Sequence, residues 1–145
     1  MADVKKIDID GEQWDIKDET ARDRITVLED SLSTKDLPDA QITMKKGYTC
    51  KSIIITNRYK AGKINFATIH IENLSGKGIG GIETAHIVST NLIPKKITTF
   101  IVRDYRTHVT ARCNLERDGG ISIKASNGIK DGDNEMFGAI IFAEP

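Results

Sequence analysis

Cysteine and proline are both scarce in this 145-residue chain, which has two of the first and three of the second. Few prolines together with 29% charged residues argue against disorder, although 39% hydrophobic residues foretell a thin core. The cysteines, Cys50 and Cys113, sit far apart in strand-like segments, with no CxxC spacing and no histidine-rich neighbour to complete a zinc site. They read as small apolar fillers, and a disulfide is disfavoured in a chain without a secretion signal. Net charge is missing too: 21 Lys and Arg balance 21 Asp and Glu, so the whole chain has no electrostatic drive toward nucleic acid. No apolar run approaches the length of about 20 residues that spans a bilayer. The opening MADVKKIDID lacks the apolar segment of a signal peptide, so the expectation is synthesis in the cytosol without membrane insertion. The length leaves room for one ordinary domain, or a small one plus an appendage, which excludes large catalytic scaffolds.

The N-terminal part changes period twice. Ile7 and Ile9 precede Asp10-Gly11, a dipeptide suited to a tight type I′ turn, and Trp14 and Ile16 continue the apolar alternation beyond it, predicting a hairpin over residues 5–16. Two short strands cannot bury those side chains alone, so something else must cover them. From Asp18, a candidate N-cap, the pattern becomes helical. Ala21, Ile25, Leu28 and Leu32 recur at alternating four- and three-residue steps, a narrow a/d stripe with Arg24 at g and Glu29 at the following e. The other faces are almost wholly polar, so the seam calls for partner helices, from other copies or from another protein. The segment Ser33 to Ala40, with Pro38, reads as a linker.

Beyond it no segment reads as a helix. The runs Gln41–Lys45, Tyr48–Thr56, Lys63–Asn73, Ile82–Thr90, Ile97–Arg103, Thr107–Glu116, Gly120–Ser126 and Phe137–Ala143 are β-prone and separated by glycine-rich breakers. The fold class expected is mainly β: a hairpin over 1–17, a coiled-coil helix over 18–34, a linker over 35–40 and an antiparallel β-sandwich head of jelly-roll kind over 41–145. Val109, Ala111 and Cys113 alternate with His108, Thr110 and Arg112, which gives that strand one wet face.

Chemical motifs are weak. Gly76, Gly78 and Gly81 spell G-x-G-x-x-G, but a β-branched stretch follows where a dinucleotide site needs a helix N-terminus. Asp8 and Asp10-Gly11 sit in an EF-hand register whose first and last ligands would be Lys6 and Lys17, so that segment is a turn. Asp131, Asp133 and Glu135 place carboxylates in a loop without a complete calcium pattern, and His70, His86 and His108 fall on three different predicted strands with no nucleophile motif beside them. No catalytic residue, cofactor or metal ligand is therefore assigned. Two predicted turns mix tyrosine with cations, Asn57-Arg58-Tyr59-Lys60 and Arg103-Asp104-Tyr105-Arg106; Arg58, Tyr59, Arg103, Tyr105 and Arg106 are the residues of interest. An aromatic ring can cover the apolar face of a sugar while arginine binds hydroxyls or anionic groups, which makes these five residues the receptor-binding candidates.

Residues 7–32 carry the phrases Trp14-Asp15-Ile16-Lys17-Asp18 and Ala21-Arg22-Asp23-Arg24-Ile25-Thr26-Val27-Leu28-Glu29. In this the segment resembles the N-terminal part of bacteriophage and prophage tail or baseplate fibre and receptor-binding proteins. The resemblance implies a non-enzymatic virion protein, assembled in the bacterial host cytoplasm. Its hairpin (Ile7, Ile9, Trp14, Ile16) would anchor it to other tail, baseplate or head proteins, and its helix (Ala21, Ile25, Leu28, Leu32) would form a homotrimer. Its head would meet a host-surface glycan or protein. Ile at a with Leu at d favours two strands in a long parallel coil, so three chains is an expectation from the resemblance and not from the heptads. The competing expectations are a purely structural baseplate or head-decoration protein and a small glycan depolymerase.

Overall fold

The computed structural model describes residues 6–9, 12–15, 19–81, 83–124 and 128–145. Among the described residues the chain is mainly β, with one short helix and one large curled antiparallel sheet. Strands β1 (Lys6–Ile9) and β2 (Glu12–Asp15) form the hairpin, with Ile7 opposite Trp14. Ile16 lies outside the described residues, as do the side chains of Ile7, Ile9, Trp14, Ala21 and Leu32. Helix α1 spans Glu19–Leu32 and hands over almost at once to β3 (Thr34–Leu37).

That strand corrects the expectation of a linker over residues 35–40. Thr34 to Leu37 pair with Ala61 to Arg58 of β6 (Ser52–Ala61), and Pro38 ends the pairing because it has no N–H to donate. Short, polar and charged, TKDL carries none of the β-branched alternation that marks a strand, and it is held by its neighbour's edge. The same segment then changes sides. Ala40 donates its N–H to the Ile55 carbonyl (3.0 Å), whereas Gln41 accepts from Asn91 N–H (3.3 Å) and β4 (Ile42–Met44) pairs with β9 (Thr84–Thr90).

The full order of the nine-stranded sheet is β3-β6-β7-β13-β10-β11-β12-β9-β4, with β7 at Ile64–Glu72, β10 at Thr98–Asp104, β11 at Thr110–Leu115, β12 at Gly120–Lys124 and β13 at Glu135–Ala143. Its two edge strands are thus separated by residues 38–41 alone, so the sheet must curl until its ends nearly meet. A minor ladder joins β5 (Tyr48–Thr49) to β8 (Ser75–Gly76).

The curl encloses one apolar cluster. Ile55, Ile69, Ile71, Met136, Ile140 and Val102 come from the first strands of the order, and Cys113, Leu115, Ile121, Ile123 and Ile87 from the last, with Leu74, Ile79, Leu92 and Ile129 closing the ends from loops. Ala111 and Cys113 are buried while Thr110 and Arg112 are exposed, the alternation expected for that strand. Both cysteines are free; burial pushes the Cys113 thiol up to about 12, and Cys50 lies 3.8 Å from the Met44 sulfur.

The G-x-G-x-x-G stretch is the β8 end and the turn before β9, with no helix after it. Tyr48 covers it: a Cβ on Gly76 would fall 2.3 Å from the tyrosine ring, and the Tyr48 hydroxyl donates to the Lys77 carbonyl. The acidic loop 131–135 is tied down rather than open. Asn134, fully buried, accepts from Leu74 N–H (2.9 Å) and donates to the carbonyls of Leu74 and Lys130, while Asp131 accepts from Gly76 N–H.

Candidate functional site: the outer face of the curled sheet

The outward-pointing residues of β6, β7, β13 and β10 form rows across the strands. Ile54, His70, Phe137 and Arg103 make one row, Thr56, Thr68 and Ala139 the next, and Tyr59, Phe66 and Ile141 a third. This face is unusually apolar for one that the chain's own strands leave uncovered: Ile101 and Ile141 are each 54% exposed and Tyr105 is 56% exposed. The aromatic rings contact one another. Tyr59 stacks on Phe66 with centroids 4.6 Å apart; His70 stacks on Phe137 at 4.0 Å, and Tyr105 meets the same Phe137 edge-on at 4.9 Å.

The two ends of this face differ. Helix α1 enters at the end marked by the β3 pair Thr34–Ala61 and the β6–β7 turn. The Phe137, His70 and Tyr105 cluster lies at the opposite end, where β7 finishes, β13 starts and the β10–β11 turn projects. Along β7, from Ile64 to His70, that separation is roughly 20 Å at the rise of an antiparallel strand. An open groove of about 470 Å³ lies at this distal end, walled by Ile54, Thr56, Thr68, His70, Tyr105 and Phe137.

Asp104 builds the distal turn. It is fully buried, accepts from the N–H groups of Arg106 (3.1 Å) and Glu135 (3.0 Å) through Oδ1, and accepts from the Thr107 hydroxyl (2.6 Å) through Oδ2. Burial alone would raise its pKa, but these donors outweigh it and hold the carboxyl below the usual carboxylate range. Arg106 is ion-paired to Asp133, which raises the guanidinium further. His70 Nε2 lies 3.5 Å from Glu135, and Glu72 is bonded to Lys51 at 2.7 Å, which lowers the Glu72 carboxyl. Asp133, Glu72 and Glu135 therefore each have a cationic or imidazole neighbour, whereas Asp104 is held by N–H and hydroxyl donors. Among the described residues no cluster of three or more His, Cys, Asp or Glu could hold a metal ion.

The structure separates some of the residues the sequence grouped. Residues 57–60, expected in a turn, run inside β6 through a bulge at Thr56–Tyr59, where Asn57 takes a positive φ of 49°. Because successive strand residues alternate, Tyr59 faces outward onto Phe66, while Arg58 donates to the Pro38 carbonyl at 2.8 Å and lines the opposite side. Arg103 and Tyr105 do converge, both flanking Phe137; Arg103 and Asp104 belong to β10, and the turn begins at Tyr105. His108 sits with φ 60° in the loop before β11, not on the strand expected to begin at Thr107.

His70 and Phe137 were not visible as site residues, because their contact needs β13 to lie between β7 and β10. A signal did exist. In Met136-Phe137-Gly138-Ala139-Ile140-Ile141-Phe142 both parities are apolar, the mark of a strand that expects cover on both faces.

On α1, Ile25 is partly buried, whereas Val27 and Leu28 are 67% and 59% exposed. No helix among the described residues is long and apolar enough to cross a membrane. No protein-family model matches the chain, and no curated protein sequence matches it.

Proposed function

We propose that this chain is a non-enzymatic phage virion fibre or receptor-binding protein that assembles as a homotrimer. Its head would be a β-sandwich of jelly-roll kind, with β6, β7, β13 and β10 facing β11, β12, β9 and β4 across one core. The hairpin of Ile7, Ile9, Trp14 and Ile16 anchors it to other virion proteins, and the stripe of Ala21, Ile25, Leu28 and Leu32 joins three helices into a short stem. The head meets a host-surface glycan or protein through the Tyr105 turn.

The observation that carries this reading is the polarity of the molecule. The helix enters the sheet at one end, and the aromatic groove with Arg103 beside it lies at the other. That is the placement a stem and a contact tip need, and aromatic walls with a cation at the rim suit the apolar face and hydroxyls of a sugar. Three weak tips on one stem gain avidity, so a single shallow groove suffices where an isolated one would not hold.

A glycan array of bacterial surface polysaccharides, probed with the full chain and with Tyr105→Ala, tests it. Binding by the native chain that falls at least tenfold in the variant, with unchanged thermal unfolding, is the expected result. Binding that survives Tyr105→Ala, Phe137→Ala and Arg103→Ala alike would overturn the assignment of the tip.

A further inference from the structure

The half of the outer face nearer the helix is too apolar for a sugar platform. Tyr59, Ile64, Phe66, Ile101 and Ile141 occupy it, and no formal charge lies among them in the rows of β7 and β13. Tyr59 and Ile64 are each 39% exposed and Ile101 and Ile141 each 54%, an open apolar patch of roughly 400 Å², close to the ~500 Å² of apolar area in one partner's share of a standard interface.

Charge at the two lateral edges says what covers it. On the β3 side Asp36 is the register partner of Tyr59, so it points outward at one margin of the face. On the other side Arg112 is the register partner of Ile101 and Arg103 that of Thr110, so two arginines point outward at the opposite margin. Neither arginine has an ion pair among the described residues. A face with a carboxylate at one edge and a guanidinium at the other complements a rotated copy of itself edge to edge, the heterologous contact that closes into a ring.

We infer that the helix-proximal half of this outer face is the head-to-head interface between copies of this chain, with the Asp36 edge of one protomer against the Arg112 edge of the next. The inference rests on the homotrimer reading and adds that the heads, not the short helix alone, hold the copies together. It also assigns Tyr59 to assembly instead of receptor contact. The Tyr105 groove stays open at the rim of the ring.

Sedimentation equilibrium of the full chain tests it, alongside Ile141→Asp, Ile25→Asp, Asp36→Arg, and Asp36→Arg combined with Arg112→Asp. Far-UV circular dichroism checks that each is folded; Ile141 and Asp36 point outward, so their replacement leaves the core intact. The native chain should sediment as a trimer, with association weakened at least tenfold by Ile141→Asp and by Asp36→Arg and regained in the double charge reversal. If Ile141→Asp and Asp36→Arg stay trimeric while Ile25→Asp dissociates, the head interface is wrong and the stem reading stands. A native chain that is monomeric at every concentration sinks both.

Discussion

Ile140 and Ile141 are the same side chain on adjacent residues of one strand, yet the first is fully buried and the second 54% exposed. Nothing in local sequence separates them. Across the four strands β6, β7, β13 and β10 the same contrast repeats: Ile55, Ile69, Ile71, Met136 and Val102 point inward to the chain's own second set of strands, while Ile54, Phe66, Phe137, Ile141 and Ile101 point outward. The hydrophobic effect has no direction of its own. A strand with two apolar parities states that it expects two layers of cover, and only the topology says which layer this polypeptide supplies.

The inner face should break first. Ile140→Ala removes buried methylene groups between β7 and β10 and leaves a cavity that close-packed neighbours cannot fill, so chemical denaturation should show a loss of about 3–4 kcal/mol. A loss under about 1 kcal/mol would mean that the core is looser than its burial implies.

Asp104 comes next. Replacing it with Ala strips acceptors from two backbone N–H groups and one hydroxyl in a buried turn, which should cost about 3 kcal/mol. Because its pKa is depressed on folding, its contribution is present above the unfolded carboxylate value near 3.9 and is lost as the pH falls through the lower folded value. Asp104→Asn should therefore flatten the acid limb of the stability profile. Part of that limb must remain, since Glu72 and Glu144 are lowered too, by their bonds to Lys51 and Lys60.

Gly138 sharpens the comparison from inside β13. A Cβ there would stand 2.6 Å from the Ile101 carbonyl oxygen and 2.9 Å from a Val102 methyl, so β10 can approach β13 only because this residue has no side chain. Gly138→Ala should destabilise by about 2 kcal/mol through overpacking, read as a lower denaturation midpoint with an unchanged slope.

How much of this was legible beforehand follows the same division. Strand positions from residue 41 onward were readable because Val, Ile and Thr alternate between glycine-marked turns, and the single helix because its period changes at Asp18. Strand β3 was not, since TKDL has no pattern of its own and is held by β6. At the distal end Arg103 and Tyr105 were legible as an aromatic–cation pair. His70 and Phe137 were not, because residues far apart in the chain become neighbours only through a crossover that inserts β13 between two earlier strands. The bulge in β6 hid inside a stretch whose Asn57 imitates a turn.

The smallest effect is the most telling. Ile141→Ser exchanges an outward side chain that is already more than half exposed, so unfolding of a single protomer should weaken by only about 1 kcal/mol, far less than for its neighbour Ile140. If copies of the chain cover this face, that small penalty grows as protein concentration rises, because association stabilises the folded state by mass action and the variant forfeits that gain. Melting temperatures of native and Ile141→Ser protein, measured over a hundredfold range of concentration, should diverge at the concentrated end and converge on dilution. Parallel curves would place Ile141 on a surface facing water alone.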